Sequence, residues 1–350
     1  MSVKITSVAK QLPPYSRTTA EIIPYVQAWM SGQEERFQRK VIKLFENAGV
    51  DIRYGIMDVH EVFTASSFEE RNDIYAREAV NLAEQALTKA LDKARLDPRD
   101  IDYFITVSCT GIMIPSLDAY LINRLRMRQD VVRLPVTEMG CAAGVSGILY
   151  ANNFLRSDPG KRAAVIAVES PTATFQLQDL SMANIVSAAI FGDGAAAVIL
   201  SSHEDDIGPE IVAGSMYHFF DAAHMMGFKL TNTGLQMVLD KTVPETIASH
   251  FPTIVHPFLE KNGVDPADDL HLIFHPGGRK ILQTVDEIFG AMGKNIDDTK
   301  EVLRLYGNMS SATVLYVLER FMDRGVPPGE KGLMLSFGPG FSAQQVLLQW

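Results

Sequence analysis

The chain has 350 residues, 47% hydrophobic and 21% charged, with a formal net charge of −10; this suits a compact enzyme of one large or two mid-sized domains. The acidic balance, with no aromatics interleaved among Arg and Lys, excludes general nucleic-acid binding. Two cysteines, Cys109 and Cys141, cannot make a disulfide framework and form no C-x-x-C pair, which sets structural zinc aside.

The N-terminus lacks the apolar core of a signal peptide, and no window approaches the about eighteen apolar residues of a membrane span. The reading is a cytoplasmic protein with no integral membrane association, kept reduced with its thiols free. Residues 3–8 form a predicted first strand, broken by Pro13-Pro14. Thr19 is placed as the cap of a helix reaching Trp29, and 34–45 as an amphipathic helix grouping Arg36, Arg39, Lys40 and Lys43. Arg36, Arg39 and Lys43 share one face at helical spacing. They are either a solvated charged face or a dock for a phosphorylated handle such as coenzyme A, for which guanidinium and ammonium groups are suited.

Residues 67–96 are predicted helical, and 102–107 a buried strand delivering the small, apolar loop 108–115. Helix returns over 116–127, and the apolar run 131–136 leads into Glu138-Met139-Gly140-Cys141-Ala142-Ala143-Gly144-Val145, which opens a helical pattern reaching Phe154. A thiol at a helix N-terminus sits where free N–H groups favour the thiolate, and small neighbours let a carbonyl approach. The alternative for such a thiol is an inert core cysteine. Glu138, close to this thiol, would raise its pKa if turned toward it. Residues 163–168 form another apolar strand, ending at Glu169. Phe191-Gly192-Asp193-Gly194 is then a glycine turn before a further strand. Alternating strands and helices predict an α/β layered fold with a mostly parallel sheet.

The second half repeats this grammar. A strand at 272–274 ends in His275-Pro276-Gly277-Gly278, and 280–289 is helical. Gly307-Asn308-Met309-Ser310-Ser311-Ala312 opens a helix reaching Met322, and Phe337-Gly338-Pro339-Gly340 precedes the last apolar stretch. The expectation is a duplicated unit, 1–205 carrying the cysteine and 206–350 the histidine and asparagine. Cys141 and Asn308 would then stand at equivalent helix starts across a pseudo-twofold. Taken together, Cys141 is the candidate nucleophile and His275 its proton partner in an ion pair. Asn308 is a neutral N–H donor to an enolate or oxyanion. Singly, His275 could be structural and Asn308 an ordinary helix cap.

With these five landmarks in order, the chain resembles the type III polyketide synthases, the chalcone synthase-like branch of the thiolase superfamily, over nearly its whole length. The resemblance implies a thiolase-like α/β fold of two pseudo-twofold-related halves forming a five-layered αβαβα core. It implies that Cys141 takes a starter acyl group from coenzyme A, while His275 and Asn308 stabilise the enolate left when malonyl-CoA loses carbon dioxide. Phe191 matches a gatekeeper, and Met237 stands where a second gatekeeper phenylalanine is usual. Cys109, Thr174, Phe228, Ser310 and Pro339 match cavity positions, and Ile114-Pro115 a loop, often with a cis proline, that reaches a partner subunit's cavity in a homodimer. Arg36, Arg39, Lys43, Gly277, Gly278 and Lys280 match the coenzyme A site, and no metal or redox cofactor is implied.

Phe228 is bulky where chalcone synthases carry glycine, which implies a reduced or redirected cavity. Cys109 resembles tetrahydroxynaphthalene synthases, which start from malonyl-CoA. The segment 306–317 resembles bacterial alkylpyrone and alkylresorcinol synthases, which take long fatty acyl starters, and the second comparison is preferred. The alternatives are a single-condensation ketoacyl synthase III-like enzyme, disfavoured because acidic carrier proteins want a broad basic dock, and a non-catalytic acyl-CoA-binding protein.

Overall fold

The computed structural model describes residues 2–64, 66–265 and 268–350; Met1, which opens the N-terminal segment read above, lies outside it with Ala65, Pro266 and Ala267. Nine strands form one sheet. From edge to edge they are Leu270–Phe274, Lys331–Gly338, Ser342–Gln349, Glu210–His218, Lys4–Gln11, Gly194–Ser201, Arg162–Glu169, Tyr103–Val107 and Val132–Val136. The two sides meet between Lys4–Gln11 and Glu210–His218 at a single ladder pair, Lys4 with Glu210. Read outward from that seam, each side places its own first strand, then its last, then the one before it, then an earlier one.

The sheet is mixed rather than mostly parallel. Parallel ladders join Leu270–Phe274 to Lys331–Gly338, and Tyr103–Val107 to its two neighbours; the other ladders are antiparallel. The reason is that each half closes on a strand that leaves a glycine turn and returns beside its predecessor. Strand alternation then sorts side chains into layers. Ile166, Ala197 and Ile199 face the long helix Phe68–Ala94, whereas Val165, Val198 and Leu200 face the interior with Met334, Val346 and Leu348 from the other half. Leu333, Leu335 and Leu347 turn the opposite way, onto Val243–Lys261 and Arg279–Gly290.

Two helices fill the middle, Ala143–Ser157 and Thr313–Arg324. Seven consecutive residues, Ala143 to Leu149, and seven more, Thr313 to Glu319, are buried. A helix buried on all sides belongs in the core of a large protein, and these two lie between the two halves of the sheet. The result is the αβαβα sandwich of a thiolase-like fold.

Local signals set the ends of these elements. Ser67 and Glu70 make a reciprocal capping box that starts Phe68–Ala94. At the first helix, Thr19–Met30, the cap is Thr18 rather than Thr19. Thr18 exchanges bonds with Glu21, while the Thr19 hydroxyl donates to Val50 O.

Candidate active site

The parallel strands Tyr103–Val107, Val132–Val136 and Arg162–Glu169 end along one edge of the sheet, so the loops that follow them converge there. Ser108 N donates to Val136 O at 3.1 Å, which binds the loop after the first strand to the run leading into Cys141. That run ends in a 3₁₀ turn, Gly140–Ala142, just before Ala143–Ser157. Gly140 is obligatory: its φ is +50°, and a Cβ there would lie 2.7 Å from the Pro339 ring. The second central helix is opened in the same way by the turn Ser310–Ala312, with Ser310 at φ +47°.

A cavity of about 590 Å³ lies against these turns, and Cys141, His275 and Asn308 all line it. The Cys141 thiol donates to Ser310 Oγ at 3.5 Å. Asn308 is buried, and its two ends are used differently. Its carbonyl oxygen accepts from Ser310 N at 2.8 Å, which is the capping role, while its amide nitrogen lies 3.4 Å from Gly277 O at the cavity wall. An Asn308 bond to the thiol lowers the Cys141 pKa, though burial outweighs it. His275 caps Leu270–Phe274, its N–H donating to Leu335 O at 2.9 Å. Its ring is buried, with no partner on either nitrogen among the described residues.

The expected pairing of thiol and imidazole is not made by a direct hydrogen bond here, since the thiol bonds Ser310 Oγ. Burial pushes the Cys141 thiol up to about 12, against the pull of Ser310, and burial alone holds His275 down at about 3. Burial thus favours the neutral form of each group. The carboxylate that raises Cys141 is Glu169, not Glu138: Glu169 is fully buried beneath the sulfurs, whereas Glu138 is exposed.

Glu169 is the residue that sequence reasoning missed. It accepts from Cys109 N at 3.0 Å, from Thr110 Oγ1 at 2.8 Å and from the Ser311 hydroxyl, and burial raises its own pKa. The signal was present, since a carboxylate closing an otherwise apolar strand is out of character. Cys109 lies on the same network, its sulfur 3.6 Å from both Glu169 and Ser310 Oγ.

Phe191, Cys109, Phe228, Met237, Ser310, Ile114, Pro339 and Gly277 all line the main cavity. Thr174 does not; it borders a second cavity of about 90 Å³, divided from the first by Pro171, Phe191 and Met237. Phe228 and Met237 are directly opposed in the hairpin formed by Met226–Thr231 and Gly234–Leu239. The Ile114–Pro115 peptide is cis.

Arg36, Arg39 and Lys43 are exposed on Glu35–Glu46, which packs against Met182–Ile190, the helix that ends at Phe191. Arg39 folds back onto Glu35. Arg279 donates to Asn47 O at 2.8 Å, tying the start of Arg279–Gly290 to the end of the cationic helix. Lys280 is exposed at that start, whereas Gly278 is its buried N-cap. No group of three or more metal-ligating side chains occurs among the described residues, and no helix among them is long and apolar enough to cross a membrane.

Two family models match the chain: FAE1/type III polyketide synthase-like protein over residues 15–209, and chalcone and stilbene synthases, C-terminal domain, over 210–350. The 1,3,6,8-tetrahydroxynaphthalene synthase of Streptomyces peucetius subsp. caesius is 34% identical, over 99% of this chain and 93% of the relative. The phloroglucinol synthase of Pseudomonas fluorescens is 31% identical over 88% of each. Among solved structures, the tetrahydroxynaphthalene synthase of Streptomyces coelicolor A3(2) superposes with a TM-score of 0.93 at 30% identity, covering 99% of both chains.

Proposed function

The chain belongs to the type III polyketide synthase family, as an acyltransferase of thiolase-like fold, and from that premise we propose how its residues share the reaction. The observation that carries the reading is the meeting of Cys141, His275 and Asn308 on one cavity. The thiol attacks the starter thioester, passes its proton to the unpartnered His275 ring, and expels coenzyme A. Malonyl-CoA then loses carbon dioxide to give an acetyl-CoA enolate, and N–H groups of Asn308 and His275 hold its oxygen. The enolate carbon bonds to the acyl carbon and releases the sulfur, and the lengthened thioester is returned to Cys141 for another round. Decarboxylation supplies the carbanion, so the scheme uses no metal or redox cofactor. Arg36, Lys43 and Lys280 receive the phosphates of coenzyme A on the Phe191 side.

The starter is a fatty acyl chain. Ile112, Met113, Leu235, Leu239, Ile247 and Phe337 give the cavity an apolar lining that suits an alkyl tail. A second reading, priming by malonyl-CoA itself, is favoured by the relatives, one named for tetrahydroxynaphthalene and another for phloroglucinol. The protein acts in the cytoplasm as a homodimer. Ile114 lines the cavity yet is 93% exposed, a position that a second copy would cover.

The test is incubation with malonyl-CoA, alone and with acyl-CoA starters of increasing length, with products identified by mass. Products only with long starters support the first reading, and an aromatic product from malonyl-CoA alone the second. No carbon dioxide under any condition rejects both.

A further inference from the structure

Glu138 stands out once the cavity is surveyed by charge. Among the described residues that line it, Glu138 is the one carboxylate, and no lysine, arginine or aspartate joins it. The other nearby carboxylate, Glu169, does not line the cavity and is occupied by Cys109, Thr110 and Ser311. Glu138 is exposed and makes no hydrogen bond or ion pair with any described residue. It is a free carboxylate on a wall that, among the described residues, carries no other acidic or basic side chain except His275.

Its place in the fold is equally specific. Gly140 at φ +50° and Ser310 at φ +47° occupy the same position in the two turns that open the central helices. Counting back two residues from each gives Glu138 and Asn308. The duplicated fold thus sets an acceptor-only group and an N–H donor at equivalent places in the two turns, both on the cavity that Cys141 lines. Asn308 suits a developing oxyanion; Glu138 suits a proton that must be removed.

Such a proton exists in the last step of the reaction. Each condensation inserts its new unit at the sulfur, so ring closure onto the thioester brings an acidic methylene back beside Cys141. We propose that Glu138 is a catalytic proton carrier for this carbon–carbon ring closure, a step that rests on the type III reading above. The carboxylate takes a proton from a methylene between two keto groups, and the C–H electrons become an enolate. The enolate carbon bonds to the thioester carbonyl carbon, the C–S bond breaks, and its electron pair leaves on Cys141. The Glu138 acid then returns the proton to that sulfur, so the thiol is restored with no other reactant. Without the carrier, the chain closes through an enol oxygen to a lactone or is released by water.

The experiment compares the wild-type chain, Glu138→Gln and Glu138→Asp, each with malonyl-CoA and decanoyl-CoA and with malonyl-CoA alone. Released coenzyme A and the ratio of carbocyclic to lactone products are both measured by mass. The expected result is coenzyme A release within about threefold of wild type for Glu138→Gln. The carbocyclic fraction should fall by roughly 10²-fold, the low end of a positioned base's contribution, and Glu138→Asp should recover part of it. An unchanged ratio overturns the proposal, as does a wild type that yields lactones alone. Loss of coenzyme A release together with the ring product overturns it too, by placing Glu138 in loading or in structure. No coenzyme A release from wild type removes the condensing reading itself, a failure distinct from the other three.

Discussion

The turns Gly140–Ala142 and Ser310–Ala312 are built alike and do different work. Each has a positive-φ residue first and leads straight into a buried helix, and they pack so closely that a Cβ on Gly144 would sit 2.2 Å from Ser311 O. Position for position, the counterpart of Cys141 is Ser311, not Asn308 as the sequence suggested. The Cys141 sulfur faces the cavity, whereas the Ser311 hydroxyl is buried on Glu169. One frame, used twice, thus yields a thiol on the cavity on one side and a carboxylate anchor on the other. The same backbone does not make the same chemistry; what each side chain faces decides it.

The largest effect should come from removing the nucleophile. Cys141→Ala should lower product formation by at least about 10⁴-fold, since the covalent route is lost, while circular dichroism stays native. Adding Ser311→Cys should not restore acyl loading by intact-protein mass, because the new thiol would face Glu169. Acylation of that double variant would break the contrast between the turns. Next, Asn308→Ala should slow malonyl-CoA decarboxylation by about 10²–10³-fold, the usual loss for one oxyanion donor. Carbon dioxide release at the wild-type rate would take Asn308 out of the site.

Gly144→Ala tests the packing that holds the turns together. A methyl forced against Ser311 O should cost about 1–3 kcal/mol in denaturant unfolding, and an unchanged midpoint would show that the turns are not locked. At neutral pH the smallest effect concerns His275. Its folded pKa, about 3, is below the ordinary value of about 6.5. The unfolded chain therefore takes up this proton first, and stability falls as pH drops from about 6.5 toward 3. His275→Gln should flatten that part of the profile, and an unaltered slope would mean that the ring is protonated in the folded protein.

Much of this could be read from the chain. Phe191-Gly192-Asp193-Gly194 and Phe337-Gly338-Pro339-Gly340 do precede the returning strands, and the long helix read over 67–96 is Phe68–Ala94, capped at Ser67, because glycine turns and capping boxes act over a few residues. Sheet direction was not legible. Period-two alternation is the same in parallel and antiparallel strands, so the mixed sheet awaited the pairing of Arg162–Glu169 with Gly194–Ser201. Thr174 shows the same limit at the site. It falls behind Pro171 because the wall of Pro171, Phe191 and Met237 is assembled from segments far apart in the chain.

By itself the sequence determined the family and the landmarks that bring Cys141, His275 and Asn308 to one cavity, since residue type, spacing and local turn chemistry are written along one line. Only the tertiary structure decided the surroundings of the site and the use of its carboxylates. Burial favours the neutral forms of Cys141 and His275, Glu169 is drawn beneath the sulfurs, and Glu138 is left free on the cavity wall. Desolvation and contact depend on what folds against a residue from elsewhere, and no spacing along the chain encodes them.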